Sequence, residues 1–151
     1  MPRGCRELSA QCLHLLAAAD LILHAGDLTE APVLELLREL APVQAVYGNM
    51  DEPALQRTLP QRLEVEVEAV RVGMVHIAGP SRGRADRLAA AFPRCAAVVY
   101  GHTHLPEVTL HEDIWILNPG SPTERRRAPY RSLLTLDVDA DVLCPRLHSL
   151  P

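Results

Sequence analysis

The stretch Val98-Val99-Tyr100-Gly101-His102-Thr103-His104 places two histidines directly after an apolar run that is typical of a buried strand. Three earlier segments share this design, since apolar runs end in Gly26-Asp27, in Gly48-Asn49-Met50-Asp51 and in His76. In open α/β sheets, ligands gather beyond the carboxyl ends of the strands. We therefore expect Asp, Asn and His side chains from four separate elements to meet at one edge of a sheet.

The segments around these motifs alternate between helical and extended patterns. Helices are predicted at 7–19, 30–40 and 84–92, and Thr29 is expected to cap the second of them. Strands are predicted at 21–23, 43–47, 62–68, 70–76, 96–100, 106–111, 113–117, 131–138 and 142–148. This order favours an α/β sandwich, and residues 1–151 are long enough for a single domain with its own core.

The ligand types in these motifs indicate a metal site. Imidazole and carboxylate groups without thiolates suit divalent manganese, iron, zinc or nickel. A carboxylate has two oxygens and can bridge two ions about 3.5–4 Å apart, and such a pair can hold a phosphate and generate hydroxide near neutral pH. The motifs therefore favour phosphate ester chemistry at a dinuclear site.

Each motif also has a plain structural explanation when it is taken alone. Gly26-Asp27 and the segment 48–51 are typical of turns, and a single His76 is more often a satisfied, half-buried histidine. The pair His102 and His104 is the stronger signal, because two histidines after a buried strand rarely serve packing. The order and spacing of all four motifs together support the metal site.

Composition excludes several other classes. The net charge is −4 and all 15 basic residues are arginine, so no lysine is present for a P-loop or a Schiff base. The arginine run 125–127 is too short for a nucleic-acid patch, and we do not expect nucleic acid as a stable partner. No apolar run is long enough to span a membrane. The four cysteines have no C-x-x-C spacing, which favours free thiols in the cytoplasm.

The motifs resemble those of the calcineurin-like metallophosphoesterases, in particular the small phosphodiesterases of bacteria and archaea. The similar segments run in the family's order along nearly the whole chain: LILHAGD (21–27), VQAVYGNMDEP (43–53), VRVGMVHIAG (70–79), VVYGHTH (98–104) and ILNPGSPTERR (116–126). The resemblance implies a four-layer α/β/β/α sandwich and a site with two divalent ions. Mn²⁺ is the expected metal, with Ni²⁺, Zn²⁺ and Fe²⁺ as alternatives.

The resemblance also assigns roles to individual residues. Asp27 is implied to bridge the two ions, with Asn49, His76 and His102 completing the shell of one ion and His104 serving the other. Asp27, Asn49 and His102 are the implied catalytic residues, and a metal-bound hydroxide is expected to attack the phosphorus of a small phosphodiester. The substrate-binding residues stay open, although Arg125, Arg126 and Arg131 are candidates for contacting phosphate.

Three departures from the family pattern affect these expectations. The family opens with a strand that ends in D-x-H, and no such motif precedes Asp27, so Met1-Pro2-Arg3-Gly4 resembles the segment that follows it. We therefore expect the first strand to be missing, only one ion to be bound, and hydrolysis to be weak or absent. Met50 stands where phosphomonoesterases carry a catalytic histidine, which favours diesters, and His76 is followed by Ile-Ala-Gly rather than Gly-His.

The missing strand leads to two further expectations. Apolar residues at 21–23 and 43–46 should be exposed, which favours self-association into a homo-oligomer. The alternative function is a non-catalytic interaction module, as in the small subunit of the retromer, which has the same fold. Asp51, Glu52 and Asn118 are either partners that orient ligands or ordinary turn residues, and His24 is expected to pack or hydrogen-bond beneath the site.

Overall fold

The computed structural model describes residues 7–151, so the segment 1–4 discussed above lies outside the described residues. The described residues contain four helices: α1 (Ala10–Ala17), α2 (Ala31–Leu40), α3 (Pro53–Thr58) and α4 (Arg84–Ala91). The nine strands are β1 (Ile22–His24), β2 (Val43–Ala45), β3 (Arg62–Val67), β4 (Val70–Val75), β5 (Ala97–Tyr100), β6 (Glu107–His111), β7 (Ile114–Asn118), β8 (Arg131–Asp139) and β9 (Val142–Leu150). None of the helices within 7–151 is long and apolar enough to cross a membrane.

The strands form three hydrogen-bonded groups. β1 and β2 are a parallel pair, and β8 and β9 are an antiparallel pair. The third group is a five-stranded sheet with the order β3-β4-β5-β7-β6, in which β4, β5 and β7 run parallel and the two edge strands run antiparallel to their neighbours. The parallel strands β4 and β5 bring the residues that follow them to one edge of this sheet, whereas the residues after β1 and β2 come from the separate parallel pair, so the motifs expected at one edge of a sheet come from two sheets.

Four hydrophobic clusters show how the layers pack. One lies between the five-stranded sheet and the strands β1, β2, β8 and β9, with Val46, Met74 and Leu117 fully buried. A second packs α1, α2 and α3 on β1 and β2, and a third packs α4 on the outer face of the five-stranded sheet. A small fourth cluster joins α1 to β8 and β9. The result is the four-layer α/β/β/α sandwich implied by the resemblance.

The predicted elements match the observed ones closely, with two corrections. Helix α3 was not predicted, because its six residues are too few to show a helical period, and Pro53 at its start is a helix-initiating signal that could have found it. Thr29 does not cap α2, since the N-cap is Glu30 and Thr29 has a left-handed φ of 75°. The residues expected to be exposed are in part buried: Ile22, Ala45 and Val46 are at most 5% exposed.

Candidate metal centre

The candidate ligands come from the ends of four strands. Asp27 lies just beyond β1, Asn49 beyond β2, His76 directly after β4, and His102 follows β5 after Gly101. Because β1 and β2 are parallel to each other, and β4 and β5 are too, each sheet delivers two side chains to the same edge. The structure therefore brings four of the five predicted metal ligands together across the interface of the two layers of strands.

The donor atoms of these residues converge on one point. Oδ1 of Asn49 lies 3.0 Å from Nε2 of His76 and 3.0 Å from Nδ1 of His102. Oδ1 of Asp27 lies 3.3 Å from the same Nε2 of His76. Asp27, His76 and His102 each offer one ligand atom, and these atoms all lie within 4.8 Å of one another. Two oxygens and two nitrogens at this spacing suit a borderline divalent cation.

The tautomer of His76 is set by a main-chain carbonyl. Its Nδ1 lies 2.7 Å from the carbonyl oxygen of Ala25, which only accepts, so Nδ1 carries a proton and donates it. In the neutral ring, Nε2 then holds a lone pair that faces the oxygens of Asp27 and Asn49. Histidine metal ligands are usually oriented in this way: one ring nitrogen donates a hydrogen bond to the protein, and the other is left free to bind the metal.

The charges of the site support the same interpretation. Burial lowers the pKa of His76, but the carboxylate of Asp27 and the carbonyl of Ala25 outweigh it, so the net pKa is raised. Burial likewise raises the pKa of Asp27, yet its hydrogen bonds to His76 and to the amide of Met50 lower it to about 2. The carboxylate is therefore ionised at neutral pH and attracts positive charge, either a proton on His76 or a metal cation.

His104 stands apart from the other ligands. Its Nδ1 donates to the carbonyl oxygen of Glu124 at 2.8 Å, and it does not belong to the cluster of Asp27, His76 and His102. It does line the same cavity of about 140 Å³ as those residues. Burial is the largest cause that lowers the pKa of His104, so its Nε2 is neutral and available as a ligand.

Left-handed backbone conformations mark the site. Asp27, His102 and His104 have φ values of 60°, 68° and 59°, which are uncommon for residues with a Cβ. Such strain concentrates at functional sites, where the surrounding structure enforces it. The sequence analysis did not predict these left-handed conformations. At Asp27 and His102 the one signal in the sequence is the glycine before each of them, Gly26 and Gly101.

Two glycines let the strand ends approach closely. A Cβ on Gly26, whose φ is 90°, would overlap the ring of His76, and a Cβ on Gly48 would overlap the carboxylate and the amide of Asp27. Both positions thus require glycine for steric reasons, and at Gly26 also for its conformation.

Polar residues around the ligands hold the loops in place. The carboxylate of Asp51 accepts the amide of Thr29 at 2.5 Å and the amide of Gly48 at 2.7 Å, which ties the two turns together. Nδ2 of Asn118 donates to the carbonyl of Gly101 at 3.2 Å and so fixes the loop that carries His102. Asp51 and Asn118 were expected either to orient ligands or to be ordinary turn residues. These hydrogen bonds favour the first alternative.

Glu52 and His24 lie farther from the ligand atoms. Glu52 accepts the amide of Ala31 at 2.9 Å and thereby supports the start of α2 rather than a ligand. His24 is only partly accessible, and its Nδ1 is buried without a hydrogen-bond partner among the described residues. It lines the same cavity as Asp27 and His76, so it lies next to the site, and its Nδ1 does not form the hydrogen bond that was one of the two possibilities.

The three candidate arginines lie in different places. Arg126 donates to the carbonyl oxygen of His102 at 3.4 Å, so its exposed guanidinium lies at the rim of the site. Arg125 instead donates to the carbonyl of Pro129, and Arg131 to that of Pro151. The structure therefore singles out Arg126 among them.

Comparisons with known proteins bear on the family and the fold of this chain. A probable metallophosphoesterase of Methanothermobacter thermautotrophicus is 37% identical over 145 residues, which cover 95% of this chain and 83% of that protein. Vps29 of Entamoeba histolytica complexed with Zn²⁺ superposes with a TM-score of 0.80 at 20% identity, covering 99% of this chain and 93% of that one. A novel archaeal phosphodiesterase superposes with a TM-score of 0.69 at 18% identity, covering 91% and 90%. At these low identities, the two structures show the fold alone.

The model of the calcineurin-like phosphoesterase superfamily domain matches residues 4–141, which is most of the chain. This match agrees with the archaeal relative, with the four-layer fold and with the cluster of Asp27, His76 and His102. The chain is a member of the calcineurin-like metallophosphoesterase family.

Proposed function

We propose that this chain hydrolyses small phosphodiesters with a divalent cation, Mn²⁺ in the first place, held by Asp27, Asn49, His76 and His102. The observation that supports this most is the clustering of four ligand atoms, one each from Asp27, Asn49, His76 and His102. The metal can be Zn²⁺, Ni²⁺ or Fe²⁺ as well, because these donors suit all four ions.

When bound there, a divalent cation acidifies water and offsets the negative charge of a phosphate ester. The protein residues supply position and charge. Asp27 is ionised at neutral pH, and the amide of Met50 holds its carboxylate at 2.9 Å. Asn49 lies between the two histidine rings and orders both of them. Among residues 7–151, Asp27 and His104 are available to a second cation, which is fewer protein ligands than the four of the first, so we propose one occupied position and slow turnover for these residues.

Preference for diesters rests on the residue beside Asn49. Met50 is 41% exposed at the position where phosphomonoesterases of the family carry a catalytic histidine. A thioether cannot donate a proton to a leaving oxygen, so esters with good leaving groups should react best. Arg126 at the rim is suited to hold the phosphate oxygens through its planar, fork-like guanidinium.

The test is hydrolysis of bis(4-nitrophenyl) phosphate with Mn²⁺, compared with 4-nitrophenyl phosphate under the same conditions. We expect slow turnover of the diester that EDTA abolishes, and a smaller rate with the monoester. The variant His102→Ala should lose activity by at least about a hundredfold, since it removes a ligand.

A matched control is His111→Ala, because His111 pairs with Asp86 on the surface at 2.9 Å and lies outside the site. Its activity should equal that of the unchanged chain. If the diester is not hydrolysed with any of the four metals, or if His102→Ala is as active as the control, the proposal is wrong.

The second candidate function is a non-catalytic interaction module, and the edge strand β6 favours it. Val108 and Leu110 lie on one face of β6 and are 38% and 54% exposed. Exposed apolar side chains on an edge strand are suited to contact a partner. This candidate predicts folded, metal-binding protein without turnover, so the diester assay distinguishes the two.

We also infer a cytoplasmic location, a small phosphodiester as the main partner, and a homo-oligomer as the state to test. Cys12, Cys95 and Cys144 are free thiols, as expected in a reducing compartment. The net charge of −4 disfavours nucleic acid as a stable partner.

A further inference from the structure

Strand β6 forms one edge of the five-stranded sheet, and within residues 7–151 it pairs with β7 alone. We call residues 107–111 the β6 edge. Its middle residues, 108–110, are exposed, and they include the apolar side chains of Val108 and Leu110. The start of the described chain packs elsewhere, since α1 contacts α2, β8 and β9 in clusters that contain no residue of β6.

The two edges of the five-stranded sheet differ in charge. The opposite edge, β3, carries a charged residue at each of its three exposed positions, Arg62, Glu64 and Glu66. Charged side chains on an edge strand oppose its pairing with another chain. The exposed positions 108–110 of the β6 edge carry no charge. The β6 edge therefore lacks the protection that the other edge of the same sheet has.

The main-chain groups of Val108 and Leu110 point away from β7. The amide of Trp115 is hydrogen-bonded on the β5 side, so the next residue, Ile116, faces β6. Ile116 stands opposite Thr109, which is therefore hydrogen-bonded to β7. Because hydrogen bonding alternates along a strand, the residues on either side of Thr109 offer their amides and carbonyls to the open side.

The middle of the β6 edge is complementary to itself in an antiparallel pairing. When two copies pair about Thr109, Val108 lies opposite Leu110 of the second copy, and Leu110 lies opposite the second Val108. These are the residues whose main-chain groups point outward, so each pair can exchange two hydrogen bonds. Their side chains lie on one face of the strand, so that apolar groups meet across the interface.

The ends of the β6 edge match in the same register. Glu107 lies opposite His111 of the second copy, where the imidazole can donate a hydrogen bond to the carboxylate. Pro106, which has no amide hydrogen, and Glu112, which has a left-handed φ of 54° in a turn, lie just beyond the two ends. The stretch that matches is therefore the whole of β6.

Other registers of two β6 strands fit less well. A shift that sets outward-facing residues against inward-facing ones breaks the hydrogen bonding. Pairing about Val108 places Leu110 opposite Pro106, which lacks the amide hydrogen that the pair needs. Pairing about Leu110 places Val108 opposite Glu112, which lies in a turn. The register about Thr109 avoids all three problems.

We propose that the β6 edge binds the β6 edge of a second copy of this chain, antiparallel and in register about Thr109. The two five-stranded sheets would then form a single sheet across a two-fold axis. This proposal gives the homo-oligomer inferred above a specific interface. It does not rest on the hydrolase proposal, because self-association is measured without metal or substrate.

The β6 edge also supports the second candidate function, in which the partner is a different protein. The second copy is favoured because it matches every position of the edge at once. Apolar residues meet apolar residues, a carboxylate meets an imidazole, and Thr109 meets its own copy. A strand of a different protein would match only if its sequence had the same pattern.

The test is sedimentation velocity of the full chain in EDTA, from about 5 to about 500 μM, because a contact through one short strand is small and weak. We expect a reversible dimer. Thr109→Lys and Thr109→Glu each place like charges directly opposite each other at the two-fold axis, and each should weaken the dimer at least about fivefold. An equal mixture of the two variants should form a heterodimer at least about fivefold more tightly than either variant alone.

Gln61→Lys and Gln61→Glu are the matched controls, because they make the same changes of charge at an exposed position beside β3. Both should dimerise as the unchanged chain does. Amide hydrogen exchange gives a second measurement. Exchange at Val108 and Leu110 should be at least about fivefold faster in the dilute monomer than in the dimer, whereas exchange at Thr109, which is bonded to β7, should change little.

Three results would overturn the proposal. A chain that stays monomeric at about 500 μM would overturn the pairing and the homo-oligomer together. A dimer that Thr109→Lys does not weaken has its interface elsewhere. If the mixture of Lys and Glu variants does not recover dimerisation, Thr109 does not meet its own copy and the register is wrong.

Discussion

Gly48 lies directly against Asp27, so that any Cβ at position 48 would overlap the carboxylate and the amide of Asp27. The contact joins the turn after β2 to the turn after β1, and the two turns carry candidate ligands from neighbouring strands. A residue without a ligand atom thus sets the position of a ligand.

The first prediction follows from this contact. Gly48→Ala should displace the carboxylate of Asp27 and weaken Mn²⁺ binding by at least about tenfold in isothermal titration calorimetry. Gly79→Ala is the control, because Gly79 has a left-handed φ but its nearest neighbour is the flexible side chain of Arg87. Equal affinities of the two variants for Mn²⁺ would contradict the prediction.

A second prediction concerns the carboxylate that ties the same turns together. Asp51→Asn places an amide donor where oxygens now accept the amides of Thr29 and Gly48, so one buried amide loses its acceptor. We expect the free energy of unfolding to fall by about 1–3 kcal/mol, measured by urea denaturation in EDTA. Asp113→Asn, in an exposed turn, should change the free energy of unfolding by less than about 0.5 kcal/mol. A similar loss in both variants would show that the hydrogen bonds of Asp51 do not stabilise the two turns.

Much of the fold and of the site could be predicted from the sequence, because both depend on local patterns. Apolar runs that end in polar residues located the strands, and parallel strands then brought Asp27 together with Asn49, and His76 together with His102. The orientation of His104 toward the carbonyl of Glu124 could not be predicted, since the two residues meet only after folding. The left-handed φ of Asp27 is likewise imposed by the packed turns, and the preceding glycine is a weak signal for it.

The third prediction concerns the pH dependence of stability. Burial is the main cause that lowers the pKa of His24 to about 3, whereas the unfolded chain has the ordinary value of about 6.5. Between these values the unfolded state binds more protons, so the stability of the metal-free chain should fall as the pH drops from 6.5 toward 4. His76, whose pKa is raised, affects stability at higher pH and does not obscure this window.

The variant His24→Asn removes this titration. Its Tm should therefore fall less than that of the unchanged chain between pH 6.5 and 4, by a few degrees in scanning calorimetry with EDTA. His14→Asn, at an exposed position of α1, should keep the full pH dependence. Identical slopes for the two variants would show that His24 does not cause the effect.

The fourth prediction tests substrate binding at the rim. Arg126→Ala should raise KM for bis(4-nitrophenyl) phosphate about tenfold with little change in kcat, because a phosphate contact at the rim contributes to ground-state and transition-state binding alike. Arg127 is a matched control, as it is also an exposed arginine, one position farther along the loop. Arg126→Lys should recover only part of the loss, since lysine keeps the charge but not the planar fork. If Arg126→Ala and Arg127→Ala raise KM equally, the general positive charge of the loop, rather than the place of Arg126 beside His102, attracts the substrate.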